Sequence, residues 1–208
     1  MSSQLAHSHE SRFEAPVNTW QDIPGWFQWR DAQSEAVAHF PDGSRFVEVG
    51  CYLGRSVCSL AEVVAQGRRS IEVVGVDTCR GSGPEGRGPT DAHGPAVRHG
   101  DGTFAGTLHR NIVGCGFADI VRLVICDSVS AAALFSDESL QWVHLDARHD
   151  YDSVLADIRA WRPKVSRGGW LSGDDFDEGQ WPGVVGAVTD SLKNAEPWST
   201  NQWRWLKP

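Results

Sequence analysis

The chain has 208 residues, 40% of them apolar, and a formal net charge of −8, which predicts one globular domain with a full core. That negative charge argues against nucleic acid, whose phosphates are met by clustered Lys and Arg, and makes a small molecule the expected partner. No run approaches the ~18 apolar residues of a membrane span, and Met1-Ser2-Ser3-Gln4 does not open a signal peptide, so the expectation is a soluble cytoplasmic protein without a membrane partner.

Five cysteines, odd in number and scattered through apolar runs, fit reduced core thiols better than a disulfide framework or a zinc site. Ten tryptophans is a high count. Most such rings are core, although their faces also stack on sugars and planar rings.

Residues 1–15 are polar and without period, and are expected to form a disordered tail ahead of a single domain over 16–208. Trp20 to Trp29 is turn-rich and aromatic, and an amphipathic helix is expected from about Arg30 to Phe40. Trp20, Trp26 and Trp29 are candidates for a subunit contact in a homo-oligomer.

Phe46-Val47-Glu48-Val49-Gly50-Cys51-Tyr52-Leu53-Gly54-Arg55-Ser56 reads as an apolar strand that passes through two glycines into the helix Val57–Val64. Glycine lets a ligand approach bare backbone, and the helix start directs unpaired N–H groups at negative charge. Tyr52 stands where a dinucleotide fingerprint requires a second glycine, which disfavours nicotinamide or flavin. The stretch resembles the Glu-x-Gly-x-x-x-Gly-x-Ser first motif of class I S-adenosylmethionine-dependent methyltransferases, with Glu48, Gly50, Gly54 and Ser56 in the motif positions. That resemblance implies S-adenosylmethionine as cofactor, its carboxylate at the helix start and Ser56. It also implies that the Trp20–Phe40 segment lies across the cofactor pocket. The competing reading is that the glycines serve close packing alone.

Ser70 to Asp77 reads as a second buried strand whose terminal Asp77 is placed to accept hydrogen bonds from both ribose hydroxyls. Residues 80–102, rich in Gly and Pro, are expected to form no regular element and to act as a lid-like loop. A helix over Thr103–Val113 follows, then a third strand ending at Asp127-Ser128, which the resemblance assigns to the adenine amino group and a ring nitrogen. A short helix over Val129–Phe135 comes next.

Gln141–Asp146 is a fourth strand; Ser153–Trp161 is a helix in which Asp157 is expected to face solvent or a neighbouring Arg, without a role. Within the fourth strand, His144 reads as a satisfied core histidine. A fifth strand ends at Gly173-Asp174-Asp175, a helix spans Val184–Lys193, and Trp203–Lys207 closes as a strand. Strand-then-helix units predict an α/β, Rossmann-like, doubly wound and mostly parallel sheet with helices on both faces, and ligands at the carboxyl ends of its strands.

Asp146, Asp174 and Asp175 collect at that edge and offer the oxygen ligands that Mg²⁺ or another divalent cation selects. The pattern Asp146-x-x-His149-x-Tyr151, with Asp157, Gly168-Gly169 and Gly173-Asp174-Asp175, resembles small-molecule O-methyltransferases of macrolide sugars and related natural products. This implies a metal at Asp146, Asp174 and Asp175, and His149 with Asp146 as catalytic groups. The sugar-methylating enzymes carry Asp-x-Asp where this chain has Asp146-Ala147-Arg148. Either His149, an imidazole suited to neutral pH, supplies the missing function, or no metal is held. The expected activity is O-methylation of a small hydroxylated acceptor, a sugar or a phenol. Metal-independent N-methylation and non-catalytic small-molecule binding stay open as alternatives.

Overall fold

The computed structural model describes residues 13–83 and 92–208. The first part of the domain runs α1 (Arg30–His39), β1 (Arg45–Val49), α2 (Arg55–Gln66), β2 (Glu72–Asp77), α3 (Gly94–His99), α4 (Ala105–Gly114) and β3 (Val121–Ile125). The second part runs α5 (Ser128–Ala132), β4 (Leu140–Leu145), α6 (Tyr151–Trp161), β5 (Val165–Gly173), α7 (Pro182–Ser191), β6 (Glu196–Trp198) and β7 (Gln202–Leu206).

The strands form one seven-stranded sheet in the order β3-β2-β1-β4-β5-β7-β6. Pairing is parallel from β3 to β5, and β7 and β6 add antiparallel. The central strands are near-continuous apolar runs because both faces are covered. Trp29, Ala36, Val57, Leu60, Leu108 and Ile112 bring α1, α2 and α4 onto one face. Ala131, Val154, Ile158, Trp161, Val184 and Val188 bring α5, α6 and α7 onto the other.

Strand order reverses between β1 and β4, so the crevice beyond their carboxyl ends is where such a sheet holds its ligand. The two strands close tightly there. Asp146 N–H donates to Val49 O at 2.8 Å, and a Cβ on Gly50 would lie 1.9 Å from Asp146 O. With φ at +94° as well, position 50 admits only glycine.

Four expectations are corrected. The tail was expected to be unpinned through residue 15, yet Phe13 is buried, packs on the His99 ring, and accepts at its carbonyl from Arg110. The 80–102 segment contains α3, because Pro95 in a first turn needs no N–H partner and Ala96-Val97-Arg98 propagates the turn that Gly100 ends; residues 84–91 lie outside the described residues. Trp29 is 2% exposed and belongs to the core, so it is not available to a subunit contact. The remaining correction, at Asp157, concerns the site itself.

Candidate active site

A cavity of about 790 Å³ opens at the carboxyl edge of the sheet, within the range of small-molecule sites. Of the residues expected to serve the site, Gly50, Ser56, Asp77, Asp127, Ser128, Asp146, His149, Asp174 and Asp175 line it. Glu48 and Gly54 stand outside that wall. Gly54 is the left-handed residue that starts α2, with a notional Cβ 2.9 Å from Leu108 Cδ1. Glu48 is 2% exposed on β1 and accepts from the Ser56 hydroxyl. Burial raises its carboxyl to about 8, with the Ser56 bond opposing and Asp77 and Asp174 adding to the rise, so it is mostly protonated at neutral pH.

The Asp77 carboxylate builds the turn between β1 and α2. Its Oδ2 accepts from Cys51 N and Tyr52 N, both at 2.8 Å, and its Oδ1 accepts from Cys79 N at 2.7 Å. A carboxylate offers roughly four acceptor positions, so these bonds leave about one for a ligand hydroxyl rather than two. Burial raises the Asp77 pKa and the three N–H donors oppose the rise. The same turn holds Tyr52 at φ +46°, a left-handed conformation rare for a bulky residue. The Tyr52 ring sits against Trp26 at 6.0 Å, His93 at 4.6 Å and Phe104 at 5.3 Å between centroids. Trp26 is 66% exposed although it lines the cavity.

At the end of β3, Asp127 is exposed and caps α5 by accepting from Ser130 N at 2.9 Å. Ser128 Oγ accepts from Trp161 Nε1 at 2.9 Å. Of the two surroundings expected for Asp157, solvent is excluded, since it is 7% exposed and lines the cavity, while a neighbouring Arg is met in the charge of Arg148. Ser153, Ala156 and Asp157 share one face of α6 through i+3 and i+4 spacing, and a helical wheel drawn with Trp161 inward places Asp157 beside it. Burial raises Asp157 to about 6, against the Ser128 hydroxyl and the nearby Arg148 charge.

At the other end of the cavity, one ligand atom each from Asp146, His149 and Asp175 lie within 4.8 Å of one another. His149 Nε2 is 2.7 Å from Asp175 Oδ2, and its ring stacks on Trp181. Asp174, expected as a metal ligand, is not one of this trio; its Oδ1 accepts from Gln202 Nε2 at 2.5 Å. Desolvation pushes Asp174 to about 6, and desolvation with the Asp174 and Asp175 charges pushes Asp146 well above the usual range. Arg148 Nη2 pairs with Asp150 Oδ2, 2.7 Å away. An imidazole and two carboxylates in this compass suit a divalent cation.

His144 is buried, with Nδ1 on Ser172 Oγ at 2.9 Å and no partner for Nε2 among the described residues, so only one of its nitrogens is satisfied. Burial lowers its pKa to about 3 and keeps it neutral. The five cysteines are free thiols.

A mostly parallel sheet of this strand order, with a glycine turn, a buried acid at the end of β2 and a carboxylate cluster sharing one crevice, is the arrangement of a class I S-adenosylmethionine-dependent methyltransferase. Residues 47–176 match the family model described as a methyltransferase domain, and the chain belongs to that family. The fold is shared with the O-methyltransferase NovP at TM-score 0.62 and 17% identity, covering 100% of this chain and 99% of that one. Cofactor-bound Rv0187 from MTB gives 0.60 at 14% identity, covering 98% and 88%. The calicheamicin methyltransferase CalS11 gives 0.57 at 20% identity, covering 86% and 77%. A curated relative from Sinorhizobium fredii (strain NBRC 101917 / NGR234), the uncharacterized protein y4gI, is 29% identical over 122 residues. That match takes in 59% of this chain but 12% of y4gI, so it spans a small part of the relative's length.

Proposed function

We propose that the protein transfers a methyl group from S-adenosylmethionine to a hydroxyl oxygen of a small natural product, a sugar or a phenol, with help from a divalent metal ion. The observation that carries this reading is the trio Asp146, His149 and Asp175, set in the same crevice as the glycine turn and Asp77. A neutral alcohol is a poor nucleophile, and an O-methylating site must align it and take its proton. S-adenosylmethionine, when bound, supplies an electrophilic methyl carbon with a thioether as leaving group. Asp77 and the turn it braces orient the ribose end, and the N-terminus of α2 faces the carboxylate end.

His149 accepts the acceptor's hydroxyl proton as the new O–C bond forms. Asp175 fixes the ring's orientation and stabilises the imidazolium, as carboxylates do for catalytic histidines. Asp146 and Asp175, with His149 beside them, would hold the divalent ion, which supplies a Lewis acid that lowers the hydroxyl pKa. Trp26, Tyr52 and Trp181 give the cavity aromatic walls on which a ring can stack.

The test is methyl transfer from labelled S-adenosylmethionine to a panel of sugars, phenols and amines, with and without exhaustive chelation. Product from a hydroxylated acceptor, lost on chelation and restored by Mg²⁺ or Mn²⁺, is expected. Transfer to an amine that survives chelation would replace this reading with metal-free N-methylation. Binding of S-adenosylhomocysteine with no transfer to any acceptor would replace it with a binding role.

A further inference from the structure

We propose that Trp26 is the platform that selects the methyl acceptor, and that the acceptor is a flat phenol rather than a sugar, a refinement that rests on the O-methyltransferase reading above. The segment that carries Trp26 is pinned on both sides. Arg55 Nη1 donates to Ile23 O at 2.8 Å, and Trp20 Nε1 and Arg30 Nη2 both reach Glu62 on α2, at 3.1 and 2.6 Å. The Trp26 ring packs on Tyr52 with the two planes 25° apart, and lies edge-to-face with His93. Tyr52 is itself braced by Asp77 through its backbone N–H. The indole nevertheless stays 66% exposed while lining the cavity. A fixed ring with an open face costs little ordering when a second ring stacks on it.

Place and chemistry narrow the ligand. Gly50 abuts Asp146 O, and Tyr52 follows two residues later, so the platform borders the part of the crevice where the metal trio begins. A sugar carries hydroxyls around its ring, and each one that is buried needs a partner. The polar side chains touching the indole are engaged with the fold instead: the Tyr52 hydroxyl donates to Ala92 O at 3.4 Å, and His93 Nδ1 lies 3.1 Å from Ser82 Oγ. A phenol brings one hydroxyl, which is presented to His149, and buries the rest of its ring against the indole.

The experiment is calorimetric titration of the protein, loaded with S-adenosylhomocysteine and Mg²⁺, with 2-naphthol, its ring-saturated counterpart decahydro-2-naphthol, and methyl α-L-rhamnoside. The wild-type protein is expected to bind 2-naphthol at least about fivefold more tightly than either of the others. Trp26→Ala, at an exposed position outside the core, should weaken 2-naphthol by at least about fivefold while S-adenosylhomocysteine stays within about twofold. Trp26→Phe keeps a flat ring and should recover most of that loss. A smaller wild-type preference, no binding of 2-naphthol, or a smaller loss in Trp26→Ala overturns the inference. Tighter binding of the rhamnoside overturns it as well, by making the site a sugar platform. A comparable loss of S-adenosylhomocysteine affinity in Trp26→Ala does the same, by placing the indole over the cofactor. Failure of the wild-type protein to bind S-adenosylhomocysteine at all removes the S-adenosylmethionine reading itself, and this assignment with it.

Discussion

His149 Nε2 stands 2.7 Å from Asp175 Oδ2 while the imidazole lies flat on Trp181, centroids 4.0 Å apart. The Nε2–Oδ2 contact sets the ring's rotation and the indole sets its plane, so Nε2 faces the carboxylate cluster rather than solvent. Two residues on separate loops are joined in this way at the ends of β4 and β5. His149→Ala is expected to lower kcat by about 10²–10⁴ with the dissociation constant of S-adenosylhomocysteine unchanged within about twofold, which stopped-flow and calorimetry check. Asp175→Asn should cost less, because it removes the orienting charge and leaves the base. Equal loss of binding and turnover in both variants would assign the pair to folding instead.

Asp77 takes three backbone N–H groups of the cradle, so its removal acts on the turn as well as on the ligand. Asp77→Ala leaves those donors without an acceptor at a cost of about 1–3 kcal/mol each where they stay dry. The melting temperature should fall, and S-adenosylhomocysteine affinity should drop more than about tenfold. An unchanged dissociation constant would refute the ribose-side assignment.

Glu48 makes stability pH-dependent, and the sign follows from its raised pKa. Its carboxyl titrates at 4.5 when unperturbed and at about 8 in the fold, so between those values the folded state holds a proton that the unfolded state has released. The contribution of this group is therefore fully present below about pH 4.5 and is lost as pH rises to about 8, by at most on the order of 5 kcal/mol. Glu48→Gln keeps a neutral acceptor for Ser56 and should flatten that fall. Urea melts at pH 6 and pH 8 would show it; the same slope in both proteins would place the effect elsewhere.

The divalent site is open to a readout that needs no substrate. Addition of Mn²⁺ or Mg²⁺ to chelated protein is expected to raise the melting temperature through binding to the folded state alone. Asp146→Asn should abolish the rise, because it removes one of the two carboxylates of the trio. An equal rise in both proteins would locate the ion away from the crevice.

Gly50→Ala tests the junction of β1 and β4. A methyl group there would meet Asp146 O at 1.9 Å and would have to adopt φ near +94°. The loss should reach roughly 3 kcal/mol or more, since strain and overpacking add. Chemical denaturation measures it, and a loss under about 1 kcal/mol would mean that the strands separate easily.

Much of this molecule is legible in the linear chain because its signals are local. Apolar runs of strand length, glycines at 50 and 54, and acids at 77, 127, 146 and 174–175 set the doubly wound sheet and its ligand edge, since parallel strands buried on both faces leave a clear mark. The partners each acid takes come from places distant in sequence. Asp77 meets the turn at Cys51 and Tyr52, Asp174 accepts from Gln202 on the antiparallel β7, and Asp175 finds His149. Asp157 looks like an ordinary helix-surface acid until α5 packs against α6 and brings Ser128 over it. Burial and hydrogen-bond partners fix pKa and role, and both are properties of packing across the fold rather than of neighbours along the chain.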